Sequence, residues 1–153
     1  IGTDSKTVEK YVDLLEKCYI VFKLSALSRN LRTELKKGKK IFFYDNGIRN
    51  SIIQNFSPLQ LRDDVGALWE NFVISERLKY NHYNQRYCNT YFWRTTEQQE
   101  VDYIEERDGS FSLFEMKWNP KKAKVLVPSS FKSAYGDCEY TVITPENYWQ
   151  HLV

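Results

Sequence analysis

Three residues near the middle of the chain have the types and spacing for cation-assisted chemistry: Asp102, then Glu115 with Lys117 two positions further on. They flank Asp108-Gly109, a dipeptide that favours the tight turn of a two-residue hairpin. With two loop residues, Arg107 faces Ser110. Counting back sets Tyr103 against Phe114, Asp102 against Glu115, Val101 against Met116 and Glu100 against Lys117. Strand residues alternate faces, so Asp102, Glu115 and Lys117 are expected on one side of the ribbon. Val101 and Met116 are expected on the other, apolar side. Directly opposed carboxylates sit about 4.5–5.5 Å apart at Cβ and cost a strand pair roughly 0.2–1 kcal/mol. Such a pair needs a cation between its members, or a proton on one of them. Mg²⁺ (or Mn²⁺) is the simplest partner, since hard cations take carboxylate oxygens and keep waters. Lys117 can then orient or help deprotonate a metal-bound water, or stabilise charge growing on a phosphate. The ordinary alternative is a plain cross-strand ion pair of Glu100 with Lys117.

The elements that must position these residues are legible around them. Asp63 or Asp64 caps a long helix running to about Tyr80, with apolar positions Val65, Leu68, Trp69, Phe72 and Val73. Three strands follow over 88–95, 100–106 and 111–118. A short helix over 128–135, a strand over 139–144 and a terminal helix opened by Pro145 complete the chain. Upstream, Asp4 or Ser5 caps a helix with Val8, Tyr11, Val12 and Leu15 at helical spacing. Strands over 19–24 and 41–44 enclose the basic turn Lys36-Lys37-Gly38-Lys39-Lys40. Helix, strand, basic turn, strand reads as the back half of a winged helix. Its lysine run is either a solvated hairpin tip or a wing that touches phosphates. Turn signals at Asp45-Asn46-Gly47 and Ser57-Pro58 mark a connection. The expected organisation is a partial winged helix over 1–45, a linker over 46–63 and an α/β domain over 64–153.

Composition narrows the chemistry. The chain has 153 residues, 42% hydrophobic and 27% charged, enough to bury a core and too apolar for disorder. The net charge of +2 excludes a strongly basic tail. It is unevenly spread: residues 1–60 carry 11 basic and 6 acidic side chains, residues 61–153 carry 11 and 14. Three scattered cysteines (Cys18, Cys88, Cys138) and two histidines (His82, His151) argue against a disulfide framework and a zinc finger or zinc-protease motif. A reducing cytoplasm is the default location. No apolar run approaches the roughly 20 residues of a membrane span, so no membrane partner is expected. The chain opens at Ile1 rather than Met, which suggests a piece of a longer protein.

Asp102 followed by Glu115-Met116-Lys117, on a helix–three strands–helix–strand (αβββαβ) order, resembles the PD-(D/E)XK (restriction-endonuclease-like) nuclease superfamily. The resemblance implies Mg²⁺- or Mn²⁺-dependent hydrolysis of DNA phosphodiesters. Asp102 and Glu115 would hold the metal with the backbone carbonyl of Met116, and Lys117 would position the attacking water. A further acid on the first core helix is implied at Glu70, from Gly66-Ala67-Leu68-Trp69-Glu70. The helical wheel instead puts Glu76 nearer the centre of the apolar stripe, with Arg94 as its partner, and it is the second choice. The superfamily's frequent Gln on the helix after the lysine has no obvious counterpart.

The stretches KIFFYDNGIRNSI, LRDDVGALWENFVISERLK and YFWRTTEQQEVDYI resemble the C-terminal region of bacterial and archaeal AAA-type ATPases. In those proteins a P-loop ATPase precedes a winged helix and a nuclease-like domain of unknown function. No GxxxxGK[ST] is present here, so ATP binding would belong to an N-terminal partner domain. Arg94, Lys121, Lys122 and Lys124 are candidate contacts to a nucleic-acid backbone, with ion pairing and solvation as their ordinary roles. The competing expectation is a catalytically inactive module of the same fold that binds DNA or a partner and regulates the ATPase.

Overall fold

The structure is a computed structural model and describes residues 4–29, 34, 38–123 and 126–152. It is a mixed α/β fold built on one six-stranded sheet of order β2-β1-β3-β4-β5-β6. The first helix, α1 (Ser5–Lys17), precedes strands β1 (Val21–Ala26) and β2 (Lys39–Phe43). A second helix, α2 (Asn46–Ile52), leads to the long helix α3 (Val65–Tyr83). Strands β3 (Asn89–Arg94), β4 (Glu100–Arg107) and β5 (Ser110–Met116) follow, then α4 (Ser129–Tyr135), β6 (Glu139–Ile143) and α5 (Trp149–Leu152). The order after residue 64 is thus helix, three strands, helix, strand, as expected.

The β4–β5 hairpin forms in the register counted from its turn: Arg107 pairs with Ser110 and Tyr103 with Phe114. Asp108 (φ 51°) and Gly109 (φ 79°) both take the left-handed conformation that such a turn requires. The strict alternation expected further along β4 does not hold. Between Tyr91 and Trp93 the β3 strand advances two residues while β4 advances three, from Ile104 to Val101. The extra residue is a bulge at Asp102-Tyr103, and it resets the pleat. Val101 and Met116, expected together, therefore lie in different clusters. Val101 packs with Leu27, Trp93 and Phe131. Met116 packs with Trp69, Val73 and Phe114.

The first two strands are not a separate hairpin. β1 pairs in parallel with β3 through Ser25–Tyr91 and Ala26–Phe92. The carboxylate of Glu34 is buried within the other half of the sheet. It accepts from Trp93 Nε1 at 2.9 Å and from the Tyr135 hydroxyl at 2.5 Å. Lys36 and Lys37 of the expected wing tip lie outside the described residues.

The connection expected over 46–63 contains α2. Asp45 does not make a free turn but caps this helix, accepting from the Ile48 N–H at 3.1 Å. Helix α3 also differs in detail: its buried face includes Asn71, Ser75, Arg77 and Asn81 beside the apolar stripe. These polar residues are paired. Asn71 exchanges hydrogen bonds with the Phe43 backbone. Arg77 grips Glu105 through Nε (2.7 Å) and Nη2 (2.8 Å).

Candidate functional site

The acidic residues singled out in the sequence come together where α3, β2, β4 and β5 converge. Glu70 projects from α3, Glu100 and Asp102 from β4, and Glu115 from the end of β5. Asp102 Oδ2 accepts the Met116 backbone N–H at 3.0 Å. The bulge in β4 brings that carboxylate across to the next strand, where a side chain takes the place of the ladder's carbonyl. Lys117 pairs with Glu115, its neighbour two residues away. The expected Glu100–Lys117 cross-strand pair is therefore not formed, because the bulge shifts Glu100 toward β3. There it lies opposite Arg94, with Arg94 Nε 3.9 Å from its Oε2.

The cluster is partly shielded from water, and its electrostatics follow from that. Burial, and next the negative charge of Asp102, push the carboxyls of Glu70 and Glu115 above the ordinary range. Burial also raises Asp102, opposed by the Met116 N–H and by Lys40. Burial alone would lower Lys117, but its contact with Glu115 and the charges of Asp102 and Glu70 hold it above the usual lysine value. All three acids hold their protons to higher pH than usual, chiefly because they are shielded from water.

Sequence reasoning missed Lys40. Its ammonium lies 2.7 Å from Glu100 Oε1, 3.0 Å from Glu70 Oε1 and 4.0 Å from Asp102 Oδ1. It belongs to the lysine run expected at a hairpin tip or phosphate-binding wing, and it turns inward instead. Only the pairing of β1 with both β2 and β3 puts β2 under α3, from where the Lys40 side chain reaches Glu100 of β4, and no local pattern announces that. Glu76, the second choice on α3, is not at the site: it pairs with Lys79 one helical turn on, at 2.6 Å. Arg94 is exposed and reaches the cluster only through Glu100. Lys121 and Lys122 are exposed on a 3-10 turn, Pro120–Lys122, while Lys124 lies outside the described residues. Helix α4, which follows Lys117, carries no glutamine.

Among the described residues, no three or more His, Cys, Asp or Glu side chains are arranged as a ready metal cage. The donor chemistry fits a less demanding ion. Mg²⁺ is commonly held by one or two carboxylates with water filling the remaining positions. The half-buried carboxylates of Asp102 and Glu115 supply hard oxygens, the first facing the Met116 N–H and Lys40, the second Lys117.

Known proteins resemble the chain in two segments. Residues 1–59 match a domain of unknown function, DUF8612. Two uncharacterized mycobacterial proteins, Mb2031c of Mycobacterium bovis and Rv2008c of Mycobacterium tuberculosis, are each 26% identical over 135 residues. The alignment covers 87% of this chain but 29% of each relative, so the chain spans less than a third of their length. No solved structure matches. No helix among the described residues is long and apolar enough to cross a membrane. The segment holding Glu70, Asp102, Glu115 and Lys117 lies within residues 65–149, which match a second domain of unknown function, and by that match the chain belongs to the DUF4143 family.

Proposed function

We propose that the chain is the nuclease-like part of a larger protein, of PD-(D/E)XK type, and hydrolyses a DNA phosphodiester with a divalent cation. The observation that carries this reading is the convergence of Glu70, Asp102, Glu115 and Lys117 into one site partly shielded from water. Asp102 and Glu115, with the Met116 carbonyl, would hold Mg²⁺ or Mn²⁺. A cation so held supplies Lewis-acid charge and a more acidic water. Lys117 holds the attacking water or the charge growing on the phosphate, and Glu115 keeps that ammonium in place. The water oxygen forms the new bond to phosphorus and gives up a proton to solvent, while the ester oxygen leaves with the bonding pair and takes a proton from solvent. Arg94, Lys121 and Lys122 are exposed and suited to the DNA backbone.

The test is a calorimetric Mn²⁺ titration of the wild type beside Asp102→Ala, followed by a DNA cleavage assay of both. Saturable binding and cleavage, both lost in the variant, are the expected result. No binding up to millimolar metal would sink the reading.

A second reading is favoured by Lys40, whose ammonium already bridges Glu70 and Glu100. On that reading the module is catalytically inactive, binds nucleic acid or a partner, and regulates an ATPase elsewhere in the longer protein. Metal-independent DNA binding that survives Asp102→Ala would favour it.

A further inference from the structure

Lys40 stands among the acids yet comes from β2, in the segment of residues 1–59, whereas its partners come from residues 65–149. Two contacts bring it there. Its ammonium lies 5.4 Å from the centroid of the Phe92 ring. Gly38, two residues earlier, sits so close to that ring that a Cβ would meet Phe92 Cζ at 2.9 Å. The start of β2 is thus pressed onto β3, and the Lys40 stem is directed to the gap between α3 and β4. There the ammonium touches Glu70 and Glu100 and reaches toward Asp102.

We infer that Lys40 is a tethered counter-ion of this site: it fills the space between Glu70 and Asp102 until a divalent cation displaces it, so that metal loading is coupled to the position of β2. The inference rests on the metal reading above. Its charge balance supports displacement. Among the described residues, Glu70, Glu100, Asp102 and Glu115 are met by Lys40, Lys117 and Arg94, one positive charge short. A divalent ion closes that deficit where an ammonium cannot. The Lys40 side chain is 25% exposed, so its flexible stem has a route to solvent.

The experiment titrates Mn²⁺ into the full chain as wild type, Lys40→Met and Lys40→Arg by calorimetry. Lys40→Met is expected to bind about tenfold tighter, and Lys40→Arg within about twofold of wild type, because only the first removes the competing charge. A parallel measurement needs no substitution at Lys40. In wild-type protein with ¹³C-methylated lysines, the Lys40 signal should shift on adding Mg²⁺, and should stay in place in Asp102→Ala. Equal or weaker binding by folded Lys40→Met, or an unmoved Lys40 signal at saturating Mg²⁺, overturns the counter-ion role and leaves the metal reading standing. Absence of binding in both wild type and Lys40→Met overturns the metal reading and this inference with it. Binding by Lys40→Met alone supports displacement in its strongest form.

Discussion

Glu115 is the residue whose ionisation best reports the state of the site. Burial first, and the charge of Asp102 second, raise its carboxyl, with Lys117 as a partial offset. The native protein therefore keeps this proton to higher pH than the unfolded chain does. As pH climbs from the ordinary carboxylate range through the raised value, the unfolded state loses its proton first, and this group's contribution to stability falls. Glu115→Gln removes that loss. In chelator the variant should melt a few degrees above wild type at neutral pH, and the gap should close in acid, where the glutamate is protonated in both states. Melting curves across pH measure it, and a lower melting temperature at neutral pH would contradict the electrostatics described here. Direct opposition of Asp102 and Glu115 is not part of the paired ladder, but the register from Arg107–Ser110 to Tyr103–Phe114 was readable because Asp108-Gly109 pins it locally. The bulge was not, since it answers to β3, and a count from the turn cannot see a third strand. Lys40 was hidden for the same reason.

At the scale of elements, the polar face of α3 decides how that helix is fixed. Arg77 and Glu105 are both buried and share two short hydrogen bonds, while Asn81 donates to the same carboxylate at 2.6 Å. Arg77 also donates to the His151 carbonyl at 2.6 Å, tying α5 to α3. Arg77→Ala leaves Glu105 buried without its cation and should cost about 3–5 kcal/mol in denaturant unfolding. A cost below about 1 kcal/mol would mean that water reaches Glu105 freely. Helix α2 depends on a smaller device. Removing its cap in Asp45→Ala should cost about 0.5–2 kcal/mol, read in the same way. Apolar periodicity located α3 but misjudged its buried face, because Asn71, Ser75, Arg77 and Asn81 are polar in type and buried in fact. Pairing, which no single-helix pattern records, makes that burial tolerable. Glu76 was overrated by the same reasoning: on a helix with so many buried polar groups, nearness to the apolar stripe does not identify the acid that is used.

For the molecule as a whole, the decisive fact is that two segments with different family matches build one sheet. The charge asymmetry and turn signals point to two modules. What local patterns do not contain is β1 lying beside β3. There the Leu27 N–H donates to the Phe92 carbonyl at 2.8 Å, and Leu27 packs with Trp93 in a fully buried cluster. Without residues 1–60, β3 becomes an edge strand. Phe92 loses Lys40 and Gly38 from one side, and the Trp93 indole loses the Glu34 acceptor. An unpartnered buried indole N–H and an uncovered hydrophobic strand are both costly. The full chain should therefore unfold in a single transition, coincident by far-ultraviolet circular dichroism and by tryptophan fluorescence. A fragment of residues 61–153 should show no cooperative melt, or one at much lower temperature, with a tendency to associate through β3. If that fragment melts cooperatively at the temperature of the full chain, the first segment is an appendage. Lys40 could not then couple its position to the site, since the strand that carries it would not be part of the folding unit.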